Sequence, residues 1–193
     1  RTSGSTPASR WCASPMPEVQ AYVALGSNLG DRFAYLAGAL RGLERAAGVR
    51  VLACSRLYET EPVGPPPQGP YLNAVVKLET GLAPRSLLGL LLAIERRAGR
   101  ERRAIRNAPR TLDLDLLLYA SACLEEDGLV LPHPRLHERG FVLEPLCELA
   151  PELVHPRLGE NVRTLAARIR APGKVRALER QVAARRSTWP SLP

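Results

Sequence analysis

Hydrophobic and polar residues follow two different spacings along the first 120 residues, and each change of spacing marks the end of a predicted element. Segments in which apolar residues alternate or form short runs predict strands at 18–28, 49–60, 71–80 and 109–120. Between them, apolar residues three or four positions apart predict helices at 32–48 and 84–99. Asp31 is placed to cap the first helix, and Pro84 suits the first turn of the second. The predicted order of elements is therefore βαββαβ.

This order favours one fold class. The proline-rich loop 61–70 separates two strands that can pair, and both helices are amphipathic. We predict an α+β, ferredoxin-like βαββαβ core, in which an antiparallel-dominated sheet is flanked by helices that cover one face. Residues 129–170 add short elements, with a last amphipathic helix near 161–170, and residues 174–186 are expected to form a basic helix.

A formal net charge of +8 points first to an acidic partner such as nucleic acid. Most of this charge belongs to the ends of the chain, because residues 18–170 carry 20 basic and 18 acidic side chains. We expect a disordered N-terminal extension at 1–17, one catalytic domain at 18–170 and a basic C-terminal tail at 171–193. Alternatively, translation starts at Met16, the single methionine, and residues 1–15 are not part of the natural protein.

The sequence shows neither a membrane segment nor a metal-binding cysteine motif. No apolar run approaches the roughly 18 residues of a membrane helix, and the N-terminus lacks the basic-then-apolar order of a secretory signal. The four cysteines are scattered, without the spacing of zinc ligands. We therefore expect a soluble, cytoplasmic protein with free thiols.

The stretch PRTLDLDLLLYA, residues 109–120, places two aspartates in an otherwise apolar run. Residues two apart in a strand point to the same face, so Asp113 and Asp115 are expected to project together, away from the leucines between and beside them. Two carboxylates this close repel each other unless a cation compensates them, and Mg²⁺ binds carboxylates together with substrate phosphates. The alternative is an edge strand whose aspartates simply face water.

An arginine-rich segment precedes these aspartates. Residues 95–110 contain seven arginines and two glutamates, a composition that is common in solvated loops and in nucleic-acid patches. Directly before paired carboxylates, it favours a polyphosphate held by guanidinium groups and magnesium. The sequence lacks the glycine- and lysine-containing phosphate loop of many nucleotide-binding proteins, so the arginines would take over its role.

Five sequence blocks carry a family resemblance. In chain order they are ALGSNLGDR, YETEPVG, YLNAVVKLET, RNAPRTLDLDLLLY and LPHPRLHERGFVLEPL. In this order and at this spacing, the chain resembles the 6-hydroxymethyl-7,8-dihydropterin pyrophosphokinase family over residues 19–157. The block from Arg106 to Leu117 is the specific part of the match, whereas the GSN turn alone is not.

The resemblance implies an enzyme of folate biosynthesis that transfers pyrophosphate from ATP to a pterin alcohol and releases AMP. It implies that Asp113 and Asp115 bind two Mg²⁺ ions, and that Arg100 and Arg110 neutralise the ATP phosphates and the transition state. Further nucleotide-binding residues that it implies are Glu95, Arg102, Leu116, His133 and Arg139. The pterin-binding residues that it implies are Thr60, Val63, Tyr71, Asn73 and, as a stacking partner, Phe141.

Two departures and two rival functions accompany the resemblance. Asn107 stands where some relatives have tryptophan, and Glu61 stands where some have a second proline.

Two other functions could use the same residues. A magnesium-dependent phosphohydrolase could use the same aspartates, and a binding module could use the arginines and basic ends to bind nucleic acid. We prefer the pyrophosphokinase. Its expected partners are ATP and the pterin, and we expect it to bind neither nucleic acid nor a membrane. Association with other folate-pathway enzymes is a further option.

Overall fold

The computed structural model describes residues 17–62, 67–100, 109–169 and 175–181. Within these residues the helices are α1 Arg32–Glu44, α2 Pro84–Arg97, α3 Gly140–Leu149 and α4 Val162–Ile169, with a 3₁₀ turn at Leu136–Glu138. The strands are β1 Val19–Ser27, β2 Val49–Cys54, β3 Arg56–Thr60, β4 Tyr71–Thr80, β5 Asp113–Tyr119, β6 Leu124–Glu126, β7 Leu129–Leu131 and β8 Val175–Gln181. The predicted order of strands and helices in the core is confirmed.

The two long helices begin and end at residues that favour helix termini. Asp31 Oδ1 accepts a hydrogen bond from Ala34 N at 2.9 Å and so satisfies one of the free N–H groups of the first turn of α1. Pro84 occupies the first turn of α2, where its missing N–H has no cost. Gly48 and Gly99 follow the two helices with φ of +75° and +74°, a conformation that favours glycine. Local sequence therefore sets where the chain turns back towards the sheet.

The main sheet has the strand order β5-β1-β4-β3-β8, and β2 pairs with β4 beyond the end of β3. All described strand pairs are antiparallel. The single strand predicted at 49–60 is interrupted at Ser55, whose hydroxyl accepts from Val75 N at 2.9 Å and whose N–H donates to Val75 O. With β2 and β3 counted as one interrupted strand, the core has the ferredoxin-like arrangement.

The two helices of the βαββαβ core, α1 and α2, cover one face of the sheet as predicted, and α3 and α4 cover the other face. The first face packs Val23, Leu25 and Leu78 against leucines of α1 and α2. The second face packs Tyr22 and Val75 against an apolar cluster of α3 and α4, which includes Leu143, Leu146, Val162 and Leu165. The short segments after residue 129 had too weak a pattern to be assigned to a face from sequence. They complete a second, smaller core.

Residues Val175–Gln181 form a strand, and the prediction of a helix at 174–186 is therefore wrong for this segment. β8 pairs antiparallel with β3, which makes it an edge strand of the main sheet. Only its first three residues, Val175, Arg176 and Ala177, alternate between apolar and charged, so the pattern of β8 is weak and its pairing with β3 stabilises the strand. The division into extension, domain and tail stays a prediction, since residues 1–16 and 182–193 lie outside the described residues.

In the described parts of the chain, no helix is long and apolar enough to cross a bilayer.

Candidate active site

Polar side chains gather on the second face of the sheet, where β4, β1 and β5 lie side by side. Gly26 of β1 lies between Asn73 of β4 and Asp113 of β5, its partners in the two strand pairings. A Cβ placed on Gly26 would lie only 3.2 Å from Asn73 Oδ1 and 3.9 Å from Asp113 Cβ. Because Gly26 has no side chain, the backbone of β1 is uncovered between these two polar groups. A flat or highly charged substrate can approach the sheet at this position.

Asp113 is held between two arginines. Arg100 Nη1 donates to Asp113 Oδ1 at 2.5 Å, and Arg110 Nη1 donates to Asp113 Oδ2 at 2.7 Å. The three side chains are 18–24% exposed, so water screens these pairs less than it screens surface pairs. Burial alone would lower the pKa of Arg110, but the charge of Asp113 and the nearby Tyr71 raise it.

Asp115 faces the same side as Asp113 and meets the chain segment before α3. Arg139 Nη1 donates to Asp115 Oδ2 at 3.2 Å, and His133 Nε2 lies 3.8 Å from the same oxygen. Burial, followed by the negative charge of Asp113, raises the pKa of Asp115, although His133 and Arg139 oppose this shift. Burial also lowers the pKa of His133, although the charge of Asp115 opposes this, so less positive charge on the imidazole is available to compensate Asp115. Asp113 pairs with two arginines, whereas Asp115 pairs with one, Arg139, at a longer distance. Asp115 is therefore the carboxylate whose charge is less well compensated.

Glu95 anchors this cluster to α2. Its side chain is buried, and Oε1 both accepts from Leu114 N at 2.7 Å and pairs with the Arg100 guanidinium. The N–H of Arg100 also donates to the Glu95 carbonyl oxygen at 3.1 Å. Glu95 therefore fixes Arg100 both at its backbone and at its side chain. This arrangement makes Glu95 a residue that orients an arginine towards Asp113.

The paired aspartates fit Mg²⁺ by their chemistry. Both ligand groups are carboxylates, which this ion prefers, and a cation beside them would offset the burial and the charge of Asp113 that raise the pKa of Asp115. The described residues contain no group of three or more histidine, cysteine or acidic side chains that could hold a metal. A site with two carboxylates suits an ion that keeps several waters and binds substrate phosphates in addition to protein.

On the other side of Gly26, buried polar groups form the predicted pterin side. Asn73 Nδ2 donates to Thr60 Oγ1 at 2.8 Å, and both residues are at most 6% exposed. Tyr71 pairs with Thr60 across β3 and β4, and its hydroxyl donates to Gln68 Oε1 at 3.3 Å. Burial raises the pKa of the Tyr71 hydroxyl, which therefore remains a donor at neutral pH.

Phe141 and Arg139 bring the start of α3 to the same face. Phe141 is half-buried, and the guanidinium carbon of Arg139 lies 5.7 Å from the centre of its ring. Arg139 thus contacts both Phe141 and Asp115, which belong to the predicted pterin and nucleotide sides, respectively. One guanidinium links the two halves of the site.

Three predicted site residues stand apart from those above, because two lie outside the described residues and one has its side chain on the opposite face. Val63 and Arg102 lie outside the described residues. Leu116 pairs with Val23 and packs in the core against α1 and α2, so its side chain points away from the aspartates. The strand alternation that joins Asp113 to Asp115 is the reason, since it sends Leu116 to the opposite face.

Sequence reasoning missed Asn28, which lies in the turn after β1. Its side-chain carbonyl accepts from Arg110 N at 2.8 Å, and its amide donates to Gln68 Oε1 at 2.7 Å. The Asn28 N–H also donates to the Arg110 carbonyl oxygen at 3.2 Å. Asn28 therefore joins the segment before β4 to the segment before β5. The GSN motif was a signal for it, but the motif is equally typical of a plain strand-to-helix turn.

Replacing the buried Asn28 with alanine is expected to lower the free energy of unfolding by about 1–3 kcal/mol, because two partly buried partners, Arg110 N and the Gln68 side chain, lose their hydrogen bonds. Asn28→Asp is the matched variant, since it retains the acceptor for Arg110 N and loses the amide that donates to Gln68 Oε1 and to Gly69 O. We expect it to be less destabilised than Asn28→Ala. Urea unfolding of both variants measures this difference. Equal stability of Asn28→Ala and the unmodified protein would contradict the linking role of Asn28.

Comparison with known protein families matches residues 22–151 to the model of 7,8-dihydro-6-hydroxymethylpterin-pyrophosphokinase (HPPK). A 2-amino-4-hydroxy-6-hydroxymethyldihydropteridine pyrophosphokinase of Methylorubrum extorquens is 46% identical over 154 residues, which cover 80% of this chain and 96% of the relative. The enzyme of the same name from Bacillus subtilis is 47% identical over 133 residues, covering 69% of this chain and 79% of the relative.

Solved structures agree on the fold. The crystal structure of Plasmodium falciparum HPPK-DHPS A437G with SDX-DHP superposes with a TM-score of 0.66 at 16% identity. The match covers 81% of this chain but only 46% of that longer one. At this identity the likeness supports the fold alone.

The chain belongs to the 7,8-dihydro-6-hydroxymethylpterin-pyrophosphokinase family. The family predicted from the sequence is confirmed, and so is the predicted class of enzyme, a pyrophosphoryl transferase of folate biosynthesis. The phosphohydrolase alternative is not supported.

Proposed function

We propose that this chain transfers the pyrophosphoryl group of ATP to the hydroxymethyl oxygen of 6-hydroxymethyl-7,8-dihydropterin, giving AMP and the pterin diphosphate. The observation that supports this most is the position of two chemically different half-sites on one sheet face. Three arginines and two aspartates form one half, and Asn73 with Thr60 forms the other. Only Gly26 separates them on the central strand.

The arginine–aspartate half would hold the ATP phosphates. Arg100, Arg110 and Arg139 now contact Asp113 and Asp115, so their guanidinium groups are already oriented in the site. When Mg²⁺ is bound, Asp113 and Asp115 would hold it, and we propose two ions, which would neutralise phosphate charge. The arginines would then exchange their carboxylate partners for phosphate oxygens, which they bind with similar geometry.

We propose that the nucleotide half also includes His133, Glu95 and Arg102, of which Arg102 lies outside the described residues. His133 N donates to Leu117 O at 2.8 Å, which fixes the imidazole beside Asp115 at the edge of β5. We propose that its neutral ring and the Arg139 guanidinium contact the nucleotide beyond the metal-binding carboxylates. Leu116 can contribute only through its backbone, because its side chain is in the opposite core.

The pterin half would recognise a flat bicycle by its edge and its face. Asn73 and Thr60 present an amide and a hydroxyl, which can donate and accept hydrogen bonds along the edge of the ring. Phe141 supplies an aromatic face for stacking, with Arg139 at its side. Tyr71 and the backbone near Val63 complete the predicted set.

The proposed reaction is attack of the pterin hydroxymethyl oxygen on the β-phosphorus, with breakage of the bond to the α-phosphate and departure of AMP. Phosphoryl transfer of this kind has a loose transition state, so positioning and charge neutralisation supply most of the rate. Arg100 and Arg110 would stabilise the charge that develops on the transferred group and on AMP. Burial of the cluster strengthens these interactions, since water is partly excluded.

The cytoplasmic location and the association with other folate enzymes stay proposals. The match covers only 18% of the Folic acid synthesis protein fol1 of Schizosaccharomyces pombe and 26% of the Folate synthesis bifunctional protein of Arabidopsis thaliana. In such relatives the matching region is one part of a longer chain, which supports a functional association between this activity and other steps of folate synthesis.

The identity of the products tests the proposed function. With ATP, Mg²⁺ and 6-hydroxymethyl-7,8-dihydropterin, we expect AMP and the pterin diphosphate in equal amounts, separated by chromatography. With 6-methyl-7,8-dihydropterin, which lacks the accepting hydroxyl, no AMP is expected. Release of ADP or phosphate from ATP without the pterin alcohol would contradict the proposal.

A further inference from the structure

β8, Val175–Gln181, has no part in the site described above, and it lies outside the residues that match the family model. It nevertheless borders the predicted pterin half. Its pairing with β3 places Val175 opposite Thr60 and Arg176 opposite Glu59. Since Thr60 is the hydrogen-bond partner of Asn73, β8 is one strand away from the polar edge that would bind the pterin.

An ion network connects β8 to both described ends of the β3–β4 connection. Arg176 Nη2 donates to Glu59 Oε2 at 2.9 Å, and Arg32 Nη1 donates to Glu59 Oε1 at 3.0 Å. Arg32 Nη1 also donates to the Pro70 carbonyl oxygen at 2.8 Å. Glu59 lies directly before Thr60, and Pro70 lies directly before Tyr71. The network therefore fixes the backbone next to two predicted pterin-binding residues.

Val175 makes the second contact, on the opposite face of β8. A Cβ placed on Gly140 would lie 3.7 Å from Val175 Cγ2, so β8 packs against the first residue of α3. The next residue along α3 is Phe141, the predicted stacking partner. β8 thus touches β3, which carries Thr60, and α3, which carries the aromatic side chain of Phe141.

A cavity of about 580 Å³ opens at this border. Its lining includes Glu59, Thr60, Gln68 and Arg176. A residue of β8 therefore shares one open space with Thr60 of the pterin half. The two aspartates of the arginine–aspartate cluster lie on β5, which is separated from β3 by β1 and β4.

From these contacts we propose that β8 is a positioning element of the pterin half of the site, acting through Arg176 on Glu59 and through Val175 on α3. This inference rests on the proposed function. Arg176 is not a catalytic residue in this account, because it acts through Glu59 and the backbone beside Thr60 and Tyr71. Its removal should weaken pterin binding and leave ATP binding unchanged.

Arg176→Met in the full chain tests this inference. Methionine keeps most of the aliphatic length and removes the charge, so folding should be unaffected at a side chain that is 72% exposed. We expect KM for the pterin to rise about threefold, an effect limited by the weakness of exposed ion pairs, while KM for ATP and kcat stay unchanged. Arg176→Lys should restore most of the pterin KM, because Arg176 contacts Glu59 through one nitrogen only.

Glu179→Gln provides the matched control on the same strand, at an exposed acidic residue that does not border Thr60. Its kinetic constants should equal those of the unmodified enzyme. An unchanged pterin KM in Arg176→Met, or an equal rise in the KM for ATP, would overturn the role of β8. Failure of the proposed function would be distinguishable, since the unmodified enzyme would then form no AMP with the pterin.

Discussion

Replacing Asp115 with asparagine is expected to lower kcat by at least about a thousandfold, because it removes a charge that the phosphate-bound metal needs. Asparagine keeps the size of the side chain and an oxygen that accepts from Arg139. Burial raises the pKa of Asp115, so its negative charge is costly in the folded protein. The melting temperature of Asp115→Asn should therefore be unchanged or slightly higher, which separates a catalytic loss from unfolding.

Asp113→Asn is expected to lose a similar factor in kcat. Its melting temperature should fall slightly, since Arg100 and Arg110 lose a charged partner. Asp127→Asn is the control, because Asp127 is exposed in the turn between β6 and β7. The measurement is the turnover of the three variants with Mg²⁺ as the only divalent metal. Near-normal rates in the two site variants would show that these carboxylates are not the metal ligands.

The second large effect is expected for Arg110→Lys, with a fall in kcat of at least about a hundredfold, which is less than the roughly thousandfold or more that a guanidinium contributes to phosphoryl transfer because lysine keeps the charge. Lysine keeps the positive charge, but it lacks the planar fork that binds two phosphate oxygens at once. The backbone N–H of Arg110 still donates to Asn28 in the variant, so the backbone conformation at this position should be unchanged.

Arg85→Lys is the control for this substitution. Arg85 is exposed and pairs with Glu126 away from the cluster, and its replacement should leave all kinetic constants unchanged. A KM for ATP that rises in Arg110→Lys while kcat stays normal would limit Arg110 to ground-state binding. That result would contradict its role in the transition state.

The parts of the site that the sequence predicted are those fixed by strand geometry. Asp113 and Asp115 are two residues apart, and the alternation of a strand is enough to place both on one face. The same alternation places Leu116 in the core, so it conflicts with the nucleotide-binding role that the family resemblance implied for this residue. Thr60 and Asn73 came together because the strands on either side of residues 61–70 pair as neighbours.

The parts that local patterns could not reveal depend on long-range packing. Arg139 reaches Asp115 only because α3 packs on the second face of the sheet, and the short apolar segments after residue 129 did not predict that face. Asn28 contacts residues 40 and 82 positions further along the chain. Residues 174–186 were predicted as a basic helix, because the local sequence does not show that 175–181 pairs with β3 and is stabilised as a strand by that pairing.

The most direct test is a crystal structure of the enzyme with Mg²⁺, a non-hydrolysable ATP analogue and the pterin. The account predicts metal density within about 2.1 Å of carboxylate oxygens of both Asp113 and Asp115, and guanidinium groups of Arg100 and Arg110 turned from Asp113 to phosphate oxygens. Asp113 still paired with both arginines, with the metal and nucleotide bound elsewhere, would contradict it.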